Sequence, residues 1–246
     1  MLDEKNELSV IASFITSNKL IISTDSGIKP SKSIISQQGQ FEKFAFVTDI
    51  IRNGIVDLMK SSQVMVSNDC LLAGALGMAL CKVNAIKRLP SRILVVSCSI
   101  QAGSYASQYM NLMNSFFAAQ KMNVPIDGCV YMKEEAKRGS ILEQGCDLTG
   151  GHYLNVPDIS GNLEYLLWIF LPSTAIRDTL LLPERRKATH RAACFCHRNI
   201  IDIGYVCSVC LSIFCTYSPI CSSCQTHFKL SLPTKVINSI HSSSIN

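Results

Sequence analysis

The chain has 246 residues, is 48% hydrophobic and carries a formal net charge of +5. That length allows one core domain plus a small appendage, and the apolar content is ample for a packed core. The modest charge is only a weak signal for nucleic acid, and the N-terminus, Met1 to Glu7, shows no basic-then-apolar signal peptide. The densest apolar stretch, Leu71 to Cys81, falls short of the roughly 20 residues a bilayer needs. A soluble protein in a reducing compartment, with its thiols free or on metal, is the expectation.

In chain order, Glu7 to Ser17 and Lys19 to Thr24 are apolar and β-branched and read as two short strands joined by a tight turn near Ser17 and Asn18. Asp25 to Gln40 is rich in Ser, Gly, Gln and Pro and reads as a loop. From Phe41 to Lys60, Phe44, Val47, Ile51, Ile55 and Leu58 recur at helical spacing. Asn68 and Asp69 suit the N-cap of a second helix reaching Ala85. That helix carries Gly74 and Gly77, each costing about 1 kcal/mol against Ala, so close packing on a sheet is the expected reason for them. Ser91 to Cys98 is an unbroken apolar run, as for a strand covered on both faces. Tyr105 to Met122 reads as a helix, Pro125 to Tyr131 as a strand and Ser140 to Cys146 as a short helix. Gly150 and Gly151 turn the chain into a strand ending at Val156, and Leu163 to Leu171 is a last apolar helix stopped by Pro172. Alternation of strand and helix predicts an α/β domain with a doubly wound, mostly parallel sheet.

The 12 cysteines are unevenly placed. Cys70, Cys81, Cys98, Cys129 and Cys146 sit in apolar surroundings, where Cys behaves as a small hydrophobe. Seven fall between Cys194 and Cys224. Among them, Cys207-Ser-Val-Cys210 and Cys221-Ser-Ser-Cys224 are Cys-x-x-Cys pairs ten residues apart. Two thiolates one tight turn apart can reach one ion at about 2.3 Å, and four thiolates fill a tetrahedral structural zinc, leaving no position for water. Cys207, Cys210, Cys221 and Cys224 are therefore the candidate zinc ligands. Cys194, Cys196 and His197, with Cys215, are second-tier ligands, giving one Zn2+ per chain or two. Free buried cysteines or a disulfide are the alternative.

No other constellation carries chemistry. There is no Gly-x-Gly-x-x-Gly after a strand, no phosphate-binding Walker loop and no Gly-x-Ser-x-Gly. Ser97, Ser99, Gln101 and Ser104 lie at expected strand ends, where open α/β sheets bind ligands, but form no acid–base pair. Asp127 falls inside a strand and reads as a hydrogen-bonding carboxylate rather than a catalyst. Arg185, Arg186, Lys187, Arg191 and Arg198 concentrate positive charge ahead of the knuckles, whereas residues 199–246 carry only Asp202, Lys229 and Lys235. A zinc module so poor in Lys and Arg is not an obvious phosphate binder. Its Ile213, Phe214, Tyr217 and Ile220 read instead as an exposed docking surface.

The run Arg191 to Cys215 resembles the small subunit of the general transcription factor TFIIH core (subunit 3 type), which joins a von Willebrand factor A-like domain to a C-terminal four-cysteine zinc finger. Ser91 to Val95, Gln108 to Asn114, Phe117 to Lys121, Gly145 to Leu154 and Tyr165 to Pro172 carry the same resemblance. It covers residues 7 to 233 and is weakest from Asp25 to Lys60. It implies a nuclear, non-enzymatic scaffold acting in transcription initiation and nucleotide excision repair. The implied partner is another TFIIH core subunit with a cysteine-rich C-terminal domain, alongside the remaining core subunits. DNA contact is implied to be indirect or weak, with neither membrane nor small-molecule substrate. The family's zinc ligands map onto Cys207, Cys210, Cys221 and Cys224. The family's first strand and helix find no match here, so the A-like domain is expected to be N-terminally incomplete and without the metal site that an Asp-x-Ser-x-Ser run would build.

The expected organisation is an A-like domain over 1–172, a basic linker over 173–192, a four-cysteine zinc module over 193–232 and a flexible tail over 233–246. The alternative function is a stand-alone zinc-dependent DNA-binding protein. Charge separates the two, since a solitary binder needs a Lys/Arg-rich face on its zinc module.

Overall fold

The computed structural model describes residues 6–14, 17–24, 42–61, 70–86, 90–97, 108–131, 140–156, 161–177, 179–182, 192–197 and 199–228. The chain divides into two units, Met1–His190 and Arg191–Asn246. Within the first, β1 (Ser9–Ser13) and β2 (Asn18–Ser23) form an antiparallel hairpin with a bulge between Val10 and Ile11. Helices α1 (Glu42–Ser61) and α2 (Leu72–Ile86) follow, then β3 (Ile93–Ser97), α3 (Tyr109–Lys121), β4 (Ile126–Tyr131), α4 (Ile141–Thr149) and β5 (Tyr153–Val156). Helix α5 (Asn162–Tyr165) runs on as a wider π-helical turn, Leu166–Phe170, and α6 (Thr174–Arg177) comes after it. The expected N-cap pair Asn68 and Asp69 and the loop Asp25 to Gln40 lie outside the described residues, as do Ser99, Gln101 and Ser104.

Strands β3, β4 and β5 make a parallel sheet in that order, with Ile93 opposite Ile126 and Gly128 opposite Tyr153. The parallel part of the expected sheet is therefore present. One doubly wound sheet embracing all the strands is not: among the described residues β1 and β2 stand as a separate two-stranded sheet. The Phe14 N–H donates to the Ser17 carbonyl at 3.0 Å across the tight turn expected there, and a link this short makes β1 and β2 antiparallel neighbours, because parallel strands need a long crossover.

Strand β4 is central, and its side chains alternate between two apolar clusters. Ile126 and Val130 enter a cluster with Leu76 and Leu80 of α2, Leu112 and Phe116 of α3, and Leu142 of α4. Cys129 and Tyr131 enter the other, with Val156, Ile169 and Phe170. Helices thus cover both faces of β4. Strand β3 differs from expectation. Ile93 and Val95 pack against the first cluster, but Leu94 and Val96 are 42% and 55% exposed. An apolar run without alternation does not guarantee cover on both faces when the strand lies at a sheet edge.

Small residues mark the close approaches. A Cβ at Gly74 would lie 2.5 Å from the Asn18 amide nitrogen, and one at Gly145 would lie 2.4 Å from the Phe116 ring. Gly74 therefore has the packing role expected of it, whereas Gly77 faces open space. Helix α4 starts at Ser140, whose hydroxyl accepts from the Glu143 N–H at 3.2 Å, and stops at Gly150 with φ 75°. Gly151 then passes so near β4 that a Cβ would sit 1.9 Å from the Ile126 carbonyl oxygen. Helix α4 reaches three residues beyond the expected Cys146, to Thr149.

Asp127 is 1% exposed and accepts two hydrogen bonds from Arg177, at 2.9 and 2.7 Å, and a third from the His152 N–H at 2.8 Å. Arg177 also donates to the Phe170 carbonyl at 3.0 Å. Asp127 is thus the hydrogen-bonding carboxylate expected of it. Helix α6 falls in the stretch expected to be linker, yet Arg177 is buried in the first unit.

The second unit is built from two-residue strands. β6 (Ala192–Ala193) pairs antiparallel with β7 (Ile200–Ile201), and β8 (Tyr205–Val206) with β9 (Ile213–Phe214). An isolated bridge joins Ile220 to His227.

Candidate metal centre

Among its described residues the second unit has almost no ordinary core. Its buried cluster consists of Cys207, Phe214 and Cys221, flanked by Cys224 and Phe228. A folded module of this size needs a disulfide, a metal or a partner to hold it. Its cysteines are unpaired by disulfides, and the chain gathers them locally. Cys207 and Cys210 stand on the tight turn between β8 and β9; Cys221 and Cys224 stand on the next turn.

Each turn is closed by its backbone. The Leu211 N–H donates to the Cys207 carbonyl at 2.9 Å, and the Gln225 N–H donates to the Cys221 carbonyl at 2.8 Å. Leu211 and Gln225 take φ 59° and 58°, left-handed values that a side chain disfavours. The backbone accepts that strain to turn both thiols of a pair inward.

The sulfur atoms of Cys207, Cys210, Cys221 and Cys224 all lie within 4.8 Å of one another. Cys207 is 3.7 Å from Cys224, and Cys210 is 3.6 Å from Cys221, sulfur to sulfur. Metal–sulfur bonds of about 2.3 Å at tetrahedral angles give an edge of about 3.8 Å. The spacing thus suits an ion at the centre of the four sulfurs. The groups around them favour thiolate on one cysteine of each pair. The Ser212 hydroxyl and N–H lower the Cys210 thiol to about 6. The Thr226 hydroxyl and N–H lower Cys224 in the same way. On Cys221 the Cys224 and Ser223 N–H groups favour thiolate, but loss of water and the sulfurs of Cys224 and Cys210 prevail and push it up to about 11. Cys210 and Cys224 are thereby favoured as thiolates and Cys221 as the thiol, whose proton a divalent cation would displace.

The second-tier residues also converge: the ligand atoms of Cys194, Cys196, His197 and Cys215 lie within 4.8 Å of one another. The His197 Nδ1 is 3.2 Å, and the Cys196 sulfur 3.4 Å, from the Cys215 sulfur. The expected docking surface is redrawn. Tyr217 and Ile220 are exposed at 41% and 45%, but Phe214 is buried among the cysteines and Ile213 is half-buried. Among the described residues of this unit the most exposed apolar side chains are instead Ile203, Val209 and Leu211, at 87%, 64% and 70%. Two of these lie on or beside the first knuckle, a place that period-based reading cannot assign a face. Between the knuckles and Phe228 is a cleft of about 310 Å³, lined by Tyr205, Phe214, Tyr217 and Phe228 among others.

Among the described residues no helix is long and apolar enough to cross a membrane. The family described as transcription factor Tfb4 matches residues 1–225 of the chain. The chain is 40% identical over 202 residues to general transcription and DNA repair factor IIH subunit tfb4 of Schizosaccharomyces pombe, covering 80% of this chain and 65% of that protein. It is 38% identical over 208 residues to general transcription factor IIH subunit 3 of Dictyostelium discoideum, covering 82% of this chain and 51% of that one. With subunit TFB4 of Arabidopsis thaliana the identity is 33% over 244 residues, 92% of this chain and 76% of the relative. The chain thus spans between half and two thirds of the length of the first two relatives. A family match that runs through both units and ends just past the last knuckle cysteine leaves one conclusion: this chain belongs to the Tfb4 family.

Proposed function

We propose that this chain is a non-catalytic scaffold subunit of the TFIIH core complex, working in the nucleus through protein contacts to support RNA polymerase II transcription initiation and nucleotide excision repair. The observation that carries this is the family match over residues 1–225, with relatives named as subunits of general transcription and DNA repair factor IIH. The first unit is read as a von Willebrand factor A-like domain, supported by its parallel β3–β4–β5 sheet with helices on both faces. The second is read as a zinc module, with one structural Zn2+ on Cys207, Cys210, Cys221 and Cys224. Four thiolates fill a tetrahedral zinc and leave no position for water, so the ion supplies cross-linking rather than chemistry.

The surface suits a subunit that binds protein. On the face of the parallel sheet that carries Asp127 and Cys129, Leu94 and Val96 are exposed. Leu163, Leu167 and Trp168 on the α5 segment are exposed as well, at 68%, 46% and 66%. Exposed apolar residues in such number mark contact surfaces. The proposed partner is the TFIIH core subunit with its own cysteine-rich C-terminal domain. Co-expression of the two chains followed by gel filtration tests this. They should elute together at micromolar concentration, and separate elution would remove the support for a scaffold. A stand-alone DNA binder would instead show micromolar affinity for duplex DNA that falls steeply with salt.

A further inference from the structure

The two Cys-x-x-Cys turns share one backbone plan. In each, the N–H of the leading cysteine donates to the carbonyl five residues on: Cys207 to Ser212 at 2.9 Å, Cys221 to Thr226 at 3.0 Å. The residue before that cysteine pairs with the residue six places past it: Val206 with Ile213, Ile220 with His227. Cys194 repeats both features. Its N–H donates to the Asn199 carbonyl at 2.9 Å, and Ala193 pairs with Ile200. The leading cysteine is buried in all three turns, at 2%, 3% and 2% exposure for Cys194, Cys207 and Cys221. In the first two turns the second thiol stands three places after the leading one, at Cys210 and Cys224. In the third turn that place belongs to His197.

We propose that this third turn is a knuckle of the same kind, and that Cys194, Cys196, His197 and Cys215 hold a second zinc ion, with His197 ligating through Nδ1. The Cys196–Cys215 and His197–Cys215 separations of 3.4 and 3.2 Å lie within about half an ångström of the sulfur–sulfur and nitrogen–sulfur edges of a tetrahedral zinc site. Three thiolates and one imidazole at tetrahedral spacing select zinc over the hard cations that prefer oxygen. The site is closed, like the four-cysteine one, and so structural.

Its topological effect is specific. Cys215 lies in sequence between Cys210 and Cys221, so the two ligand sets interleave along the chain. One ion clamps the β8–β9 turn to the last turn. The other clamps the β6–β7 turn to the residue that follows β9. The same line is already marked by a hydrogen bond from the Phe195 N–H to the Ile213 carbonyl at 2.8 Å, and by the Phe195 and Phe214 rings 6.4 Å apart. This inference does not rest on the subunit assignment.

The test is the zinc content of the whole chain, purified without chelator, together with the X-ray absorption spectrum at the zinc edge. Two zincs per chain are expected, sharing seven sulfurs and one nitrogen between them. The double variant Cys196→Ser, His197→Ala should retain one, in an all-sulfur shell. One zinc in the unaltered chain, or two that persist in the double variant, overturns the proposal. So does an all-sulfur spectrum from the unaltered chain, which decides the matter even if the variant fails to fold. One zinc in an all-sulfur shell would leave the four-cysteine site standing.

Discussion

Cys210 and Cys221 face each other at 3.6 Å, yet their surroundings push them opposite ways, to about 6 and about 11. Thiolate is the reactive form. Thiolate is also the form that binds zinc, so binding must displace the proton held by Cys221. The ion should therefore be released as pH falls, with unfolding of the second unit, as zinc content and protease sensitivity followed against pH would show. Asp127 shows how far a single residue can be read. Its place inside an apolar strand pointed to a hydrogen-bonding role, but its partner Arg177 is 50 residues away in a stretch that reads as linker. Only the fold brings them together. Asp127→Asn would leave the Arg177 charge buried without its counter-ion, and should cost about 3–5 kcal/mol in chemical denaturation.

At the scale of elements, turn chemistry was the most legible signal. Gly150 and Gly151 read correctly as the turn into β5, because a left-handed C-cap and a close backbone approach both call for glycine. Gly151→Ala has no room beside the Ile126 carbonyl. It should lower stability by about 2 kcal/mol or more, the range for a strained backbone site. A thermal melt checks this, and an unchanged midpoint would show that the turn can relax. The two Cys-x-x-Cys knuckles were equally legible as spacing, and Cys194, Cys196, His197 and Cys215 were legible as second-tier ligands. That the Cys194 turn shares the backbone plan of the other two was not, because Cys-Phe-Cys-His puts a histidine in the place of a second thiol. Helix α6 was also hidden, because it is too short to show a period. The β1–β2 strands and their tight turn were legible; their separation from the parallel sheet was not, because sheet membership is set by pairing between distant segments. The exposed face of β3 should tolerate a charge in the free chain. Val96→Lys, on a side chain 55% exposed, should change the stability of the free chain by under about 0.5 kcal/mol. It should weaken the proposed subunit complex in the gel-filtration assay.

At the scale of the whole molecule, the two units draw on different sources of stability. The first has two apolar clusters about β4; the second has a cluster made mainly of metal-type cysteines. Binding of a structural zinc is worth about 10–16 kcal/mol in small modules, enough to decide whether one folds. A chelator, or Cys210→Ser, should therefore make residues 191–228 protease-sensitive while leaving a protected fragment from the first unit. Alternation of elements and paired knuckles were enough to suggest this two-part build; the division of the strands between two sheets was not. The proposed role is that of a subunit acting through protein contacts. Affinity purification of the tagged chain from cells that express it, at physiological salt and with quantitative mass spectrometry, tests this role. TFIIH core subunits should be recovered in near-equal amounts with the chain. Recovery of the chain alone, or with DNA and no TFIIH subunit, would contradict it.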